Sequence, residues 1–416
     1  MRLKRIAWVL AGLAIIGLLL YQIPSVKGRL LWGYIQADAY VRGVFNPAGS
    51  IPTPLPTPNN QLSPSPISTT ESAITLTPTP PAQPTPTPPT PQPSPTPLPA
   101  QVYLDPPEYE LQDINGCGPA TLAMYLRYYG WEGDQHTIDE VIKPVRADRN
   151  VNIEELAYYT WNYAGWLNLI YRVDGDIDLL KQFIANGIPV MIEEGDELER
   201  GYWPDDDLWA GHFLLLTGYD DAEEFFYAQD SFRQADRQVS YAKTEERWKL
   251  FNRVYIIVFL PHQEETVKSI LGEDWDIDAN RQHALEAAQA EVDQNMEDAL
   301  AWFNLGSNLV YFERYPEAAE AYDRARVIGL PQRMLRYQFG PFHAYFQTRR
   351  FEDLLALAEH TIQLTPISEE AFLWKGWALY NLGDNEGAIE AFRESYQSNP
   401  TSFDAQYALD FMGVTP

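Results

Sequence analysis

"LQDINGCGPATLAMYLRYYGW", residues 111–131, holds Cys117, the single cysteine of a chain of 416 residues. Ala120, Ala123, Met124 and Arg127 fall on one helical face and Leu122, Leu126 and Tyr129 near another, so a helix is predicted over 117–129. Pro119 suits its first turn, where a missing N–H costs nothing. Cys117 therefore stands at the helix N-terminus, where unsatisfied N–H groups and the positive end of the helix dipole favour a thiolate. One cysteine cannot close an internal disulfide or build a Cys-rich metal site, which leaves a small buried hydrophobe or a reactive thiol.

A thiolate that attacks carbonyl carbon needs an imidazole. His136 falls in the polar turn "WEGDQHT", whereas His212 begins the apolar strand "HFLLLTGY". The turn "DDAE" follows, and His212 and Asp230 each lie nine residues from its centre at Asp221. In an antiparallel hairpin that count makes them cross-strand neighbours, with the carboxylate on the far nitrogen of the ring. There it would fix the tautomer and steady the imidazolium. Gln112, five residues before Cys117, can donate its amide to an oxyanion beside the Cys117 N–H. Helices over 152–163 and 176–186 and the strands "IPVMIE", "EFFYAQD" and "RVYIIVFLP" complete an α+β domain over residues 101–262.

"QDINGCGPATLAMYLRYYG", "GHFLLLTGYDD" and "YAQDS" together resemble the papain-like cysteine peptidases related to the bacteriocin double-glycine-leader peptidases. The resemblance implies a papain-like fold for this domain, Cys117 as nucleophile, His212 as base and acid, Asp230 as the orienting residue, Gln112 at the oxyanion, and no cofactor or metal. Two departures stand out: Gln112 is one residue closer to the cysteine than is usual in papain-like enzymes, and Gly116 replaces an aspartate frequent in the leader peptidases. No second hydrophobic span and no Gly-rich phosphate loop follow, so a leader-cleaving exporter is unsupported. Three readings stay open: peptide hydrolysis, acyl transfer or amide cleavage by the same triad, and a silent binding module.

"EEGDELERGYWPDDDLWAGH" brings a dense run of carboxylates up to His212. Trp203, Asp205, Asp206, Asp207 and Trp209 are expected to border the cleft and select basic or aromatic side chains, a negative field gathering cations. A solvated loop is the plainer alternative, and the spacing fits no EF-hand.

From residue 277 to 412 the chain turns periodic. Ala284, Ala318, Leu354 and Ala388 are spaced by 34, 36 and 34 residues, and Met296, Leu330, Pro366 and Pro400 repeat those intervals. Trp302, Leu305, Gly306, Ala318, Tyr322 and Ala325 match tetratricopeptide positions, so this all-α array resembles that repeat and is expected to offer a protein or peptide partner its concave face. Residues 263–276 read as a connector.

At the other end, residues 1–5 carry Arg2, Lys4 and Arg5 ahead of an uncharged apolar run, residues 6–23. At about 1.5 Å per residue the run reaches roughly one hydrocarbon core. A transmembrane anchor is expected, with a cytoplasmic N-terminus and everything after a juxtamembrane segment (24–46) extracytoplasmic. Residues 47–100 hold 19 of the 33 prolines and a single charge, Glu71, and read as a disordered Pro/Thr-rich spacer, up to about 170 Å at roughly 3.1 Å per residue. A net charge of −28 excludes a field that gathers nucleic-acid phosphates.

Overall fold

The computed structural model describes residues 24–45, 47, 49–56, 97–143 and 151–415. The expected anchor, residues 6–23, lies outside them; among the described residues no helix is long and apolar enough to cross a membrane. The segment expected to be juxtamembrane contains helix α1 (Pro24–Phe45).

The first domain is a mixed α/β unit around a seven-stranded sheet. Its strands are β1 (Gln101–Tyr103), β2 (Asn168–Arg172), β3 (Val190–Glu197), β4 (Trp209–Asp220), β5 (Phe225–Asp230), β6 (Gln234–Ser240) and β7 (Tyr255–Phe259). They run in the order β2-β7-β3-β4-β5-β6, with β1 added to β4 and every pair antiparallel. Helices α2 (Cys117–Tyr128), α3 (Gln135–Ile142) and α4 (Ile153–Tyr163) cover one face through Met191, Phe213, Leu215 and Val258. Helices α5 (Ile177–Ala185), α6 (Tyr241–Trp248) and α7 (Glu264–Leu271) cover the other through Ile192, Leu214, Leu216 and Ile257. Burial on both faces explains why "HFLLLTGY" is apolar throughout instead of alternating. The 263–276 connector belongs to this domain: Val267 and Leu271 enter its core, and Arg172 donates to the Asp274 carbonyl at 2.7 Å.

The β4–β5 register departs from the hairpin count. Gly218 faces Tyr227 and Asp220 faces Phe225, but after a bulge at Thr217 Leu216 faces Ala228 and Leu215 faces Gln229. Continuing that register sets Asp230 opposite Leu214 and diagonal to His212. Side chains alternate along a strand, so the extra residue moves His212, Leu214 and Leu216 onto the face that Tyr219, Phe226 and Ala228 share. Without it His212 and the Asp230 side chain would point to opposite faces. The bulge decides the pairing that counting from the turn assumed.

Eight helices follow: α8 (Ile277–Gln294), α9 (Ala299–Tyr311), α10 (Tyr315–Ile328), α11 (Gly340–Gln347), α12 (Phe351–Leu364), α13 (Glu369–Leu382), α14 (Asn385–Ser398) and α15 (Phe403–Phe411). The small-residue column is buried throughout, Ala284, Ala318, Leu354 and Ala388 each at most 1% exposed. Gly306 shows why: a Cβ there would stand 2.7 Å from the Tyr322 ring, and Gly376 meets Phe392 in the same way. The array is continuous with the first domain. Asn280 both donates to the Val173 carbonyl (2.9 Å) and accepts its N–H (3.1 Å), Asn252 donates to Asn308 (2.9 Å), and Lys249 pairs with Glu291 and Asp298 at 2.8 Å.

The spacer reading needs correction at both ends. Ile51 is 3% exposed within the core of the repeat array, and Pro99 and Ala100 are tied to the sheet through Tyr219 Oη (2.8 Å) and Asp221 N–H (2.8 Å). Residues 57–96 lie outside the described residues.

Candidate active site

Cys117 is the first residue of α2, and its helix is seated on β4 by the Thr121 hydroxyl, which donates to the Phe213 carbonyl at 3.3 Å. The thiol is 9% exposed and lines a narrow cleft, about 80 Å³ in volume, with Gln112, Asn115 and His212. Asp230 Oδ1 lies 2.8 Å from His212 Nε2. The imidazole also interacts with the Cys117 side chain, each shifting the other's charge, and with Nε2 engaged Nδ1 is the nitrogen left for sulfur. The three residues singled out in the sequence thus form one row: sulfur, ring, carboxylate.

The charges in that row follow from their surroundings. Burial alone would raise the Cys117 pKa, but the hydrogen bond and positive charge of His212 outweigh it and hold the thiol below its ordinary value. Burial likewise opposes charge on His212, yet Asp230 and Cys117 raise its pKa to about 10. Asp230 stays far below the usual carboxylate range: although fully buried, it accepts from His212, from the Phe232 and Arg233 N–H groups at 2.9 and 3.1 Å, and from Arg237 Nη1 at 2.6 Å. Near neutral pH the row carries an imidazolium between a carboxylate and a thiol biased toward thiolate. The Phe232 ring stands edge-on to His212 at 6.3 Å and shields it.

Gln112 is held by both ends of one residue: its N–H donates to the Ser231 carbonyl (2.8 Å), and its side-chain oxygen accepts the Ser231 hydroxyl (3.0 Å). That contact fixes the amide so that its NH₂ is the end left over at the cleft it lines. The loop between is fastened by Gln135, whose oxygen accepts the Asp113 N–H (2.6 Å) and whose NH₂ donates to the Leu111 carbonyl (2.9 Å). Neither Gln135 nor Ser231 stands out in the sequence. Glutamine beginning a short helix and serine after a strand are ordinary turn chemistry.

A second acid was also missed. Glu194 pairs directly with His212 across β3 and β4. It is fully buried, neither carboxyl oxygen accepts a hydrogen bond, and its nearest cation is Arg247 at 3.7 Å. Burial pushes its pKa up to about 7 against the pull of His212 and Arg247. An acid raised on folding favours the fold in its protonated form, so this stabilisation is complete below the unfolded value near 4.5 and is lost as pH rises through about 7. Glu194→Gln is therefore expected to gain roughly 2–3 kcal/mol over the parent at pH 9 relative to pH 4. Urea unfolding at both pH values measures this, and equal differences would discard the assignment.

The acidic segment borders the cleft through Asp196, Leu198 and Tyr202, but not through the five residues expected to line it. Asp206 is 1% exposed and grips the Arg333 guanidinium with both oxygens, Oδ1 at 2.7 Å. Asp207 accepts the Gln332 N–H (2.6 Å), the Asp205 carbonyl accepts the Gln332 amide (3.0 Å), and the Trp203 indole lies 4.1 Å under the Arg333 guanidinium. Trp209 stacks on Phe251 and meets Tyr337 edge-on. These five residues contact the repeat array. In turn, Arg333, Arg336 and Tyr337 of the array line the cleft beside Cys117. They lie in or beside the turn at Met334–Arg336, where the interval from Ala318 to Leu354 is two residues longer than its neighbours. That irregular spacing was the sequence's pointer to them.

Residues 96–256 match the family model described as Peptidase_C39 like family, and residues 342–403 match a tetratricopeptide repeat. The chain carries a C39-like peptidase domain followed by tetratricopeptide repeats. Among solved structures, a C39-like peptidase from Bacillus anthracis aligns at 19% identity over 38% of this chain and 96% of its own, with a TM-score of 0.31. Xylellain, a cysteine protease from Xylella fastidiosa, aligns at 15% over 39% and 87%, with a TM-score of 0.29. YrrB, described as a TPR protein with an unusual peptide-binding site, aligns at 19% over 35% and 71%, also with a TM-score of 0.29. No curated protein matches the chain. The matched span 96–256 contains Gln112, Cys117, His212 and Asp230.

Proposed function

We propose that this chain is a cysteine peptidase that hydrolyses peptide bonds in a cleft walled on one side by its own repeats. The observation that carries the reading is the His212 ring, hydrogen-bonded to Asp230 and sharing one cleft with Cys117, whose side chain it interacts with. The Cys117 thiolate attacks the peptide carbonyl, and the oxyanion takes donors from the Cys117 N–H and the Gln112 amide. His212, already protonated, gives its proton to the leaving amine. Water, deprotonated by His212, then releases the acid and restores the thiolate.

The repeats contribute Arg333, Arg336 and Tyr337 to substrate binding, so the array serves as part of the enzyme as well as a surface for partners. Residues 6–23 hold the body at a membrane on its outer side.

A peptidyl chloromethylketone distinguishes this reading from a silent module. One equivalent is expected to add to Cys117, with parallel loss of cleavage of an unfolded polypeptide; absence of both adduct and cleavage would end the proposal. Performing the cleavage in ¹⁸O water with an added amine separates hydrolysis, which labels the new carboxylate, from transfer, which yields the amide.

A further inference from the structure

Ile51–Leu55 lies against the second helices of two successive hairpins, α10 and α12, and its contacts are those of a ligand. Ile51 is buried in the array's core. The Pro52 carbonyl accepts from Arg326 Nε at 2.8 Å, and the Leu55 N–H donates to Asp353 Oδ1 at 3.1 Å. Arg326 and Asp353 are themselves buried, 1% and 4% exposed, and pair with each other at 3.0 Å. Around them Arg350 bridges Asp323 and Asp353, and the Tyr345 hydroxyl donates to Asp323. A buried guanidinium and carboxylate need more bonds than their mutual pair supplies, and the segment's backbone supplies one to each.

We propose that Ile51–Leu55 is a built-in ligand of the repeat array, held in a site that recognises an extended proline-containing peptide. Its chemistry sets the ligand class. The polar pair reads a C=O and an N–H three residues apart, so the fifth position must not be proline, while the first must be aliphatic to fill the apolar pocket. Pro52 and Pro54 preset the extended backbone and reduce the ordering lost on binding. Leu55, set between Pro54 and Pro56, supplies the required N–H.

The occupied site changes what the proline-rich stretch does. Its start, at Ile51–Leu55, is fastened to the repeats and its end, at Pro99 and Ala100, to the sheet. Gly43 near the end of α1 also lies against Trp203, close enough that a side chain there would collide.

The test uses the full chain with residues 51–55 replaced by Gly-Ser-Gly-Ser-Gly and a fluorescent peptide carrying residues 47–58. Anisotropy is expected to show binding to the replaced chain, at least about tenfold weaker binding to the parent, whose site is filled, and at least about tenfold weaker binding of the peptide with Ile51→Asp. Equal binding of the peptide by both chains, or no loss with Ile51→Asp, would overturn the assignment, provided circular dichroism shows both chains folded. Segment exchange between copies, seen as energy transfer in a mixture of donor- and acceptor-labelled parent chains, would overturn the intramolecular part. None of these readouts depends on Cys117.

Discussion

Cys117→Ala is expected to abolish hydrolysis, and His212→Ala to lower kcat/KM by at least on the order of 10²- to 10⁴-fold, the range a positioned acid and base contribute. A second readout does not depend on knowing the substrate. Iodoacetamide alkylates only the thiolate, so at pH 6.5 His212→Ala slows modification of Cys117 by on the order of 10²-fold as the thiol returns to the raised pKa that burial alone would impose. The direction of the pH dependence follows. His212 is protonated below about 10, so the parent keeps the imidazolium needed by the leaving amine well into alkaline pH, and activity falls as the ring loses its proton. Asp230→Asn removes the charge that raises the ring, and the alkaline limb moves down. An alkaline limb unmoved by Asp230→Asn, or alkylation equally fast in His212→Ala, would show that the ring does not govern the sulfur.

Arg333→Ala tests the junction. It leaves Asp206 buried without its cation and exposes the Trp203 face, and removing one partner of such a pair costs about 3–5 kcal/mol. The loss is expected in denaturant unfolding as an earlier transition, accompanied by a higher KM because Arg333 lines the cleft. The double variant Arg333→Ala with Asp206→Ala should recover part of the stability while leaving KM high, since no charge is then stranded. A loss under about 1 kcal/mol would mean that the other contacts between the two domains, those of Asn280, Asn252, Lys249 and Gln332 among them, hold the junction without this pair.

The helix at Cys117, the central strands and the repeat columns were legible because each carries a strong local period: small residues where helices cross, apolar runs where a strand is buried on both sides. His212 and Asp230 could be paired from the same logic, although the count reached the right partner through the wrong register. What escaped reading depends on contacts remote in sequence. Asp206 and Arg333 are far apart along the chain, and nothing near either names the other, so a run of carboxylates beside the cleft looked like a substrate filter. Gln135 and Ser231 escaped for the same reason. In the proline-rich stretch, Ile51 and Leu55 look no different from Ile67 or Ile74. Only the buried Arg326–Asp353 pair sets them apart.

The site depends on an odd-and-even rule set at Thr217. Related chains that lengthen or shorten the β4–β5 tip can keep the imidazole and carboxylate together, because the tip lies on the far side of the bulge. Loss or gain of one residue between Thr217 and His212 would turn the ring to the opposite side of the sheet while every motif letter stayed in place. When a relative retains the cysteine, histidine and aspartate, the length of that short interval is therefore a better guide to a working enzyme than the letters themselves.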